Sequence, residues 1–287
     1  MPQEERKKRF IISADDFGLH ESINESIEIG YCKGVITNAS LVACGDSFDH
    51  AVKIAARNRG LGVGIHLTLV GERPLADPKK IKTIVGKDGM LFRSHMELFS
   101  KICAGLIDME HIAIECEEQL TRVVESGILP THVDSHQHIH ALRPVFKAIK
   151  PVLNKFGITR IRGLNIPWFD FSFEDLKKVA FSVFVMASCP FRKSGFRTPD
   201  FLVGFFKSGK IGPEYLIRVI EKIKPGITEI NVHPGVDNKV IKKKYGHLKK
   251  LAGWPCDWER EHASLLSPLV KDAIATSGIS LVNYKAV

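Results

Sequence analysis

The stretch FIISADDFGLHESINESIEIGYCKG, residues 10–34, sets the fold class. Residues 10–13 (FIIS) form a short apolar run that reads as a buried strand ending at Ala14-Asp15-Asp16. In residues 21–32, apolar side chains at 23, 27 and 31 share one face of an amphipathic helix, and Gly34 stops it. The same unit recurs outward along the chain. Further strands are expected at 35–43, 61–69, 131–135, 159–162, 227–232 and 279–282, and helices at 48–56, 109–124, 142–156, 214–223 and 259–275. Strand–helix alternation implies βαβ units and a parallel sheet. About seven or eight such units fit, so the expected fold is an α/β, TIM-like (β/α) barrel, distorted or incomplete, built as a single domain over residues 1–287. A doubly wound open sheet is the alternative. Segments 71–100 and 166–212 are too long for ordinary connections. Long excursions on the βα side of such a fold build the substrate pocket.

Composition narrows the function classes. With 44% hydrophobic and 25% charged residues, the chain is an ordinary globular sequence rather than a disordered one. Its start, MPQEERKKRF, lacks the apolar core of a secretory signal. The longest near-apolar run, residues 179–191, is too short to span a bilayer. Six cysteines lie scattered with no CxxC pair, which argues for reduced thiols and a cytoplasmic location rather than a disulfide framework. The formal charge of +9 concentrates in RKKR (6–9) and KVIKKKYGHLKK (239–250). A solvated basic face explains it, and no zinc finger, helix-turn-helix or RNP signature speaks for nucleic acid.

Four polar clusters fall where expected strands end: Asp15-Asp16, His66 in VGIHL, residues 134–140 after THV, and His233 after INV. Parallel α/β folds assemble active sites at the C-terminal ends of their strands. Singly, each cluster has a plainer explanation: a helix cap for the aspartates, a core histidine at 66, a loop histidine at 233. Together, four elements delivering carboxylates and imidazoles to one edge mark a site. Adjacent strand residues point in different directions, so one of Asp15 and Asp16 can bind a metal while the other faces the substrate. In THVDSHQHIH (131–140), His132, Asp134, His136, His138 and His140 occupy every second position. The chain must turn into the helix at 142, which leaves Asp134 and His136 at the strand end and His138 and His140 in the turn. One carboxylate and two imidazoles suit one divalent ion, zinc by ligand type, whereas magnesium prefers oxygen. A further aspartate could accept a proton from water, and a histidine on the far side could protonate a leaving group.

ADDFG (14–18), GIHLTL (64–69), THVDSHQHIH (131–140) and EINVHPG (229–235) resemble, in order and spacing, the YdjC-like carbohydrate deacetylases, over most of the chain. The resemblance implies a distorted (β/α) barrel with a divalent metal, zinc or magnesium, acting on N-acetylated sugars. It implies metal ligation by Asp16, His66 and His136, Asp15 as the base that activates water, and His233 as the acid for the departing amine. Asp134 is expected to orient a ligand histidine, and His138 to form pocket wall or turn. GFRTPDFLVG (195–204) resembles the family's substrate side, which implies that Arg197 and Asp200 contact the sugar; a structural ion pair would explain them as well. Family relatives also imply a homodimer.

Phenylalanines 181, 184, 191, 196, 201, 205 and 206 crowd one segment. Most are read as core. The sharper reading is an apolar approach for a lipid-linked sugar, since a subgroup of the family is associated with an N-acetylglucosaminyl hopanoid; basic residues would then favour peripheral contact with the inner membrane surface. Two other functions fit parts of the pattern. A phosphoesterase could use Asp and His but needs bridging carboxylates for a second metal. A non-catalytic sugar- or lipid-binding barrel would need neither Asp15 nor His233.

Overall fold

The computed structural model describes residues 7–171, 191–236 and 257–287. Cys189, Cys256, Phe181, Phe184 and the basic stretch 239–250 lie outside them. In chain order the elements are β1 (Lys8–Phe17), α1 (Glu21–Cys32), β2 (Asn38–Leu41), α2 (Phe48–Arg57), β3 (Gly62–Leu67), α3 (His95–Cys103), α4 (Met109–Glu125), β4 (Val133–Ser135), α5 (Arg143–Lys155), β5 (Phe201–Val203), α6 (Pro213–Lys222), β6 (Gly226–Val232), α7 (Trp258–Leu266), α8 (Pro268–Thr276) and β7 (Ser280–Leu281). Among the described residues the named strands all pair in parallel, in the order β4-β3-β2-β1-β6-β5, with β7 added against β1. The result is an α/β fold with a curled parallel sheet. Beyond its two end strands, single bridges link Val133 to Ile161 and Arg160 to Arg197.

Alternation along these strands sorts side chains onto two faces. Phe10, Ile12 and Ala14 of β1, Ala39 and Leu41 of β2, Val63 and Ile65 of β3, Val133, and Ile230 and Val232 of β6 join the main apolar core with the helices. α4 shows how a helix closes it. Asp108 caps it by accepting the Glu110 N–H (2.9 Å), and Ile112, Cys116, Leu120 and Val123 are buried at helical spacing. Each fully buried side chain of this size contributes roughly 1.5–3 kcal/mol.

Four departures from the sequence reading have local causes. β1 runs on through Asp15 and Asp16, because its pairing with β6 continues to Ala14↔Val232 and its pairing with β2 resumes at Phe17↔Leu41 across a bulge. The strand expected at 159–162 pairs only at single bridges. The helix expected at 259–275 is two, because Pro268 has no N–H to continue one and sits instead in the first turn of the next. The two long excursions contain α3 and β5. Three residues are too few to show a period, which is why β5 escaped the pattern.

Candidate metal centre

The other face of the sheet is polar. Ser13 and Asp15 of β1, Asn38 and Ser40 of β2, His66 of β3, His132 and Asp134 beside and in β4, and Glu229 of β6 are all buried. Glycine makes the room. A Cβ on Gly64 would lie 2.0 Å from the His132 ring and one on Gly62 2.1 Å from Asn38 Oδ1.

At the C-terminal edge, Asp16, His66 and His136 converge, with one ligand atom from each lying within 4.8 Å of the others. Asp16 Oδ1 is 3.2 Å from His136 Nδ1 and 3.7 Å from His66 Nε2, and the two imidazole rings stand edge to face at 5.7 Å. The backbone is bent to do this. Asp16 has φ 65°, Gln137 φ 56° and His138 φ 55°, and these are the positive-φ residues other than glycine among the described ones. Such conformations cost on the order of 1–3 kcal/mol each and collect at functional sites. The bulge adds a residue to β1, so consecutive Asp15 and Asp16 both reach the site but face different partners.

The donor set fits a divalent cation. Asp16 Oδ1 is buried with no directed hydrogen bond. Burial opposes its ionisation, yet His136, His233 and His66 hold its carboxyl well below the usual range. His66 Nδ1 donates to Asp134 Oδ1 (2.8 Å), which turns Nε2 toward Asp16 and leaves it as the atom that could bind a cation. Ser40 Oγ and Arg162 Nη1 hold the other Asp134 oxygen at 2.8 and 2.7 Å. Burial works against that carboxylate, but Arg162 and His66 keep its pKa well down. Asp15, Asp134 and Glu229 all contact the single guanidinium of Arg162, and Asp16 adds a further buried carboxylate. A cation would offset that excess of negative charge. Asp15, His66 and Asp134 form a second acidic group, but its two aspartates are already committed to Arg162.

Asp15 is gripped by a fork. Arg162 Nη1 donates to Oδ2 (2.8 Å) and Nη2 to Oδ1 (2.7 Å). Each carboxylate oxygen has a second lone pair, so the grip leaves Asp15 able to accept a proton. His233 Nε2 lies 3.8 Å from Asp15 Oδ2, while its Nδ1 side faces Glu261 (3.6 Å) and Ser208 Oγ (3.4 Å). Burial lowers the His233 pKa, but the Glu261 carboxylate, then Asp15 and Asp16, raise it to about 9.

The remaining histidines of 131–140 have other roles. His132 stacks on Tyr284 (3.7 Å between centroids, 4° between planes). His140 ties Ser135 Oγ (2.7 Å) to the Arg162 carbonyl (3.1 Å), and burial lowers its pKa to about 4. His138 packs on Phe205 (5.1 Å), its Nδ1 buried and without a hydrogen bond. From the first long excursion, His95 at the start of α3 donates its backbone N–H to Gln137 Oε1 (3.2 Å), beside His136. Phe191 and Phe196 are core residues packed on Phe146, whereas Phe205 and Phe206 are half-buried.

Arg197 and Asp200 are not at this site. Arg197 is exposed and reaches Thr159 Oγ1 (3.2 Å), and Asp200 Oδ2 accepts the Ile227 N–H (2.9 Å) at the start of β6. His233 follows the far end of that strand, roughly 20 Å away at about 3.3 Å per residue. Sequence proximity to β5 was misleading because these residues precede the strand rather than follow it. Two residues were missed. Arg162 ends the expected strand 159–162 and obeys the same strand-end rule that exposed Asp15. Glu261 lies on the buried face of α7 with Trp258 and Leu265, where a charge at apolar spacing was the available signal.

The family described as YdjC-like protein matches residues 9–276. A carbohydrate deacetylase of Geobacillus stearothermophilus is 33% identical over 281 residues, covering 96% of each chain. Another, from Clostridium beijerinckii, is 28% identical over 286 residues, 97% of this chain and all of that one. A solved structure from Enterococcus faecalis V583, provisionally assigned to cellobiose-phosphate cleavage, has a TM-score of 0.75 at 23% identity over 98% of both chains, a likeness of fold.

Proposed function

The chain belongs to the YdjC-like family, and from that premise we propose that it is a metal-dependent carbohydrate deacetylase that hydrolyses the acetamide of an N-acetylglucosamine-type sugar. The observation that carries the reading is the convergence of Asp16, His66 and His136 beside a base and an acid, Asp15 and His233. A divalent ion held by the triad would polarise the acyl carbonyl and acidify water, and two imidazoles with one carboxylate favour zinc. Asp15, held by Arg162, takes the proton of the attacking water. The amide carbon–nitrogen bond then breaks as protonated His233 gives its Nε2 proton to the departing nitrogen. Acetate and the free amino sugar leave, and the two residues regain their starting states by proton exchange with solvent.

The bridges at Val133–Ile161 and Arg160–Arg197 support a distorted barrel closed along that seam, and one family model over residues 9–276 supports reading residues 1–287 as one domain. The free cysteines at 32, 44, 103 and 116 fit a reducing, cytoplasmic setting. No helix among the described residues is long and apolar enough to cross a membrane. A lipid-linked substrate and peripheral membrane contact rest on the phenylalanine-rich segment and the basic charge, and a homodimer on the family resemblance alone. The deciding test is mass-spectrometric loss of one acetyl group, with metal content measured in parallel. Soluble N-acetylglucosamine oligomers and a glycolipid with the same head group are the substrates. Acetate release from either supports deacetylation. Turnover of the oligomers alone removes the lipid reading, and turnover of neither in metal-loaded protein removes the activity.

A further inference from the structure

The polar face does not end at the metal centre. Among the described residues Arg162 is the largest fully buried side chain, and its guanidinium has two ends. Its Nη atoms grip Asp15 and Asp134, while Nε donates to Glu229 Oε1 (2.9 Å) on β6. Nη2 also reaches Ser13 Oγ (3.3 Å). Glu229 Oε2 accepts the hydroxyl of Tyr284, from the last turn of the chain. Tyr284 is itself fixed from two sides. Its ring stacks on His132, and it packs with Ile11 and Ile227 in a small cluster apart from the main core.

We infer that Glu229 and Tyr284 are positioning residues for the reaction: they form a buried strut from the chain's C-terminal turn to Arg162, and through it set the placement of the Asp15 carboxylate. The inference rests on the reading of Asp15 as the base.

Geometry and chemistry argue for a strut rather than mere filling. A guanidinium gripped only at Nη can swing about its contacts with two carboxylates. A third, charge-assisted bond at Nε on the opposite side fixes the plane of the fork. Glu229 would be costly at this depth without donors. It has two, Arg162 Nε and the Tyr284 hydroxyl, one for each oxygen. Removing either leaves a buried acceptor short and lets the guanidinium settle toward Asp134 or Asp15. An aliphatic pair of the same volume would fill the space as well but would orient nothing.

The experiment compares the full-length, metal-loaded Tyr284→Phe, Glu229→Gln and Asp15→Asn variants. Tyr284→Phe keeps the ring and its stack and loses one O–H, so it is the mildest probe. Expected is a kcat lowered by about tenfold in Tyr284→Phe and by at least that in Glu229→Gln, the size of one charge-assisted hydrogen bond. KM and bound metal per chain stay at the wild-type values. Glu229→Asp, which keeps the charge, recovers part of the loss. Wild-type kcat in folded Tyr284→Phe and Glu229→Gln overturns the strut. So does a loss of kcat that follows loss of metal, or failure of Tyr284→Phe to fold, since the hydroxyl would then be holding the structure and not the base. Asp15→Asn separates the two readings. If it retains full kcat, the assignment of the base fails; if it is inactive while the strut variants are normal, only the strut fails.

Discussion

One sheet carries two opposite interiors. On the helix side, Ile12, Ala39, Ile65, Val133 and Ile230 are buried among apolar neighbours. On the other side, at the adjacent positions of the same strands, Ser13, Ser40, His66, Asp134 and Glu229 are equally inaccessible and polar. Burial therefore does not mark the functional residues here; pairing does. The apolar face gains from area removed from water. The polar face gains little net stability and exists as a connected set of donors and acceptors around one arginine and the candidate metal group. Among the described residues, those other than glycine with positive φ are Asp16, in the candidate metal group itself, and Gln137 and His138, directly after His136, as expected where geometry is being enforced.

The widest separation between the faces comes from the edge proposed to be catalytic. Asp15→Asn is expected to lower kcat by about 10²–10⁴-fold while keeping bound metal. His136→Ala loses metal and activity together. Acetate release and elemental analysis read both, and full activity in Asp15→Asn would sink the contrast at its centre.

Next come paired substitutions, one on each face. Arg162→Met leaves three carboxylates buried around an apolar side chain and should cost about 3–5 kcal/mol along with the activity. Ile12→Ala should cost about 2–5 kcal/mol in chemical denaturation yet leave kcat unchanged in the folded fraction. A selective activity loss in Ile12→Ala would mean that the faces are not independent.

The pH dependence sharpens the polar face. The folded pKa of His233 is raised to about 9, so its protonated form stabilises the metal-free protein fully below the ordinary histidine value near 6.5. That stability is lost as pH rises through about 9. As the proposed acid, His233 also sets an alkaline limb of kcat, at or below about 9 because a bound cation disfavours its charge. Glu261→Gln removes the main raising charge and should move the limb to lower pH. An unmoved limb would detach Glu261 from His233.

The smallest expected effect lies outside the site. Arg197→Ala should change stability by less than about 0.5 kcal/mol and leave KM within twofold, because the side chain is exposed at the opposite end of the strands. A raised KM would return Arg197 to the substrate.

The sequence by itself determined what is local. Short apolar runs placed strands at 10–13 and 61–69, helical spacing placed α1 and α4, and the strand-end rule singled out Asp15, Asp16, His66, His136 and His233 as candidates. These signals depend on backbone geometry within a few residues, so no partner is needed to read them. Tertiary structure alone decided three things. It swung Asp16 inward through a one-residue bulge, it put Arg197 and Asp200 at the wrong end of their strands, and it brought Arg162, Glu261 and Tyr284 to the polar network. The bond between Arg162 and Asp15 spans 147 residues of sequence. Which strand lies beside which, and how far each is offset along its neighbour, is fixed by packing over the whole sheet, and no stretch of chain records it.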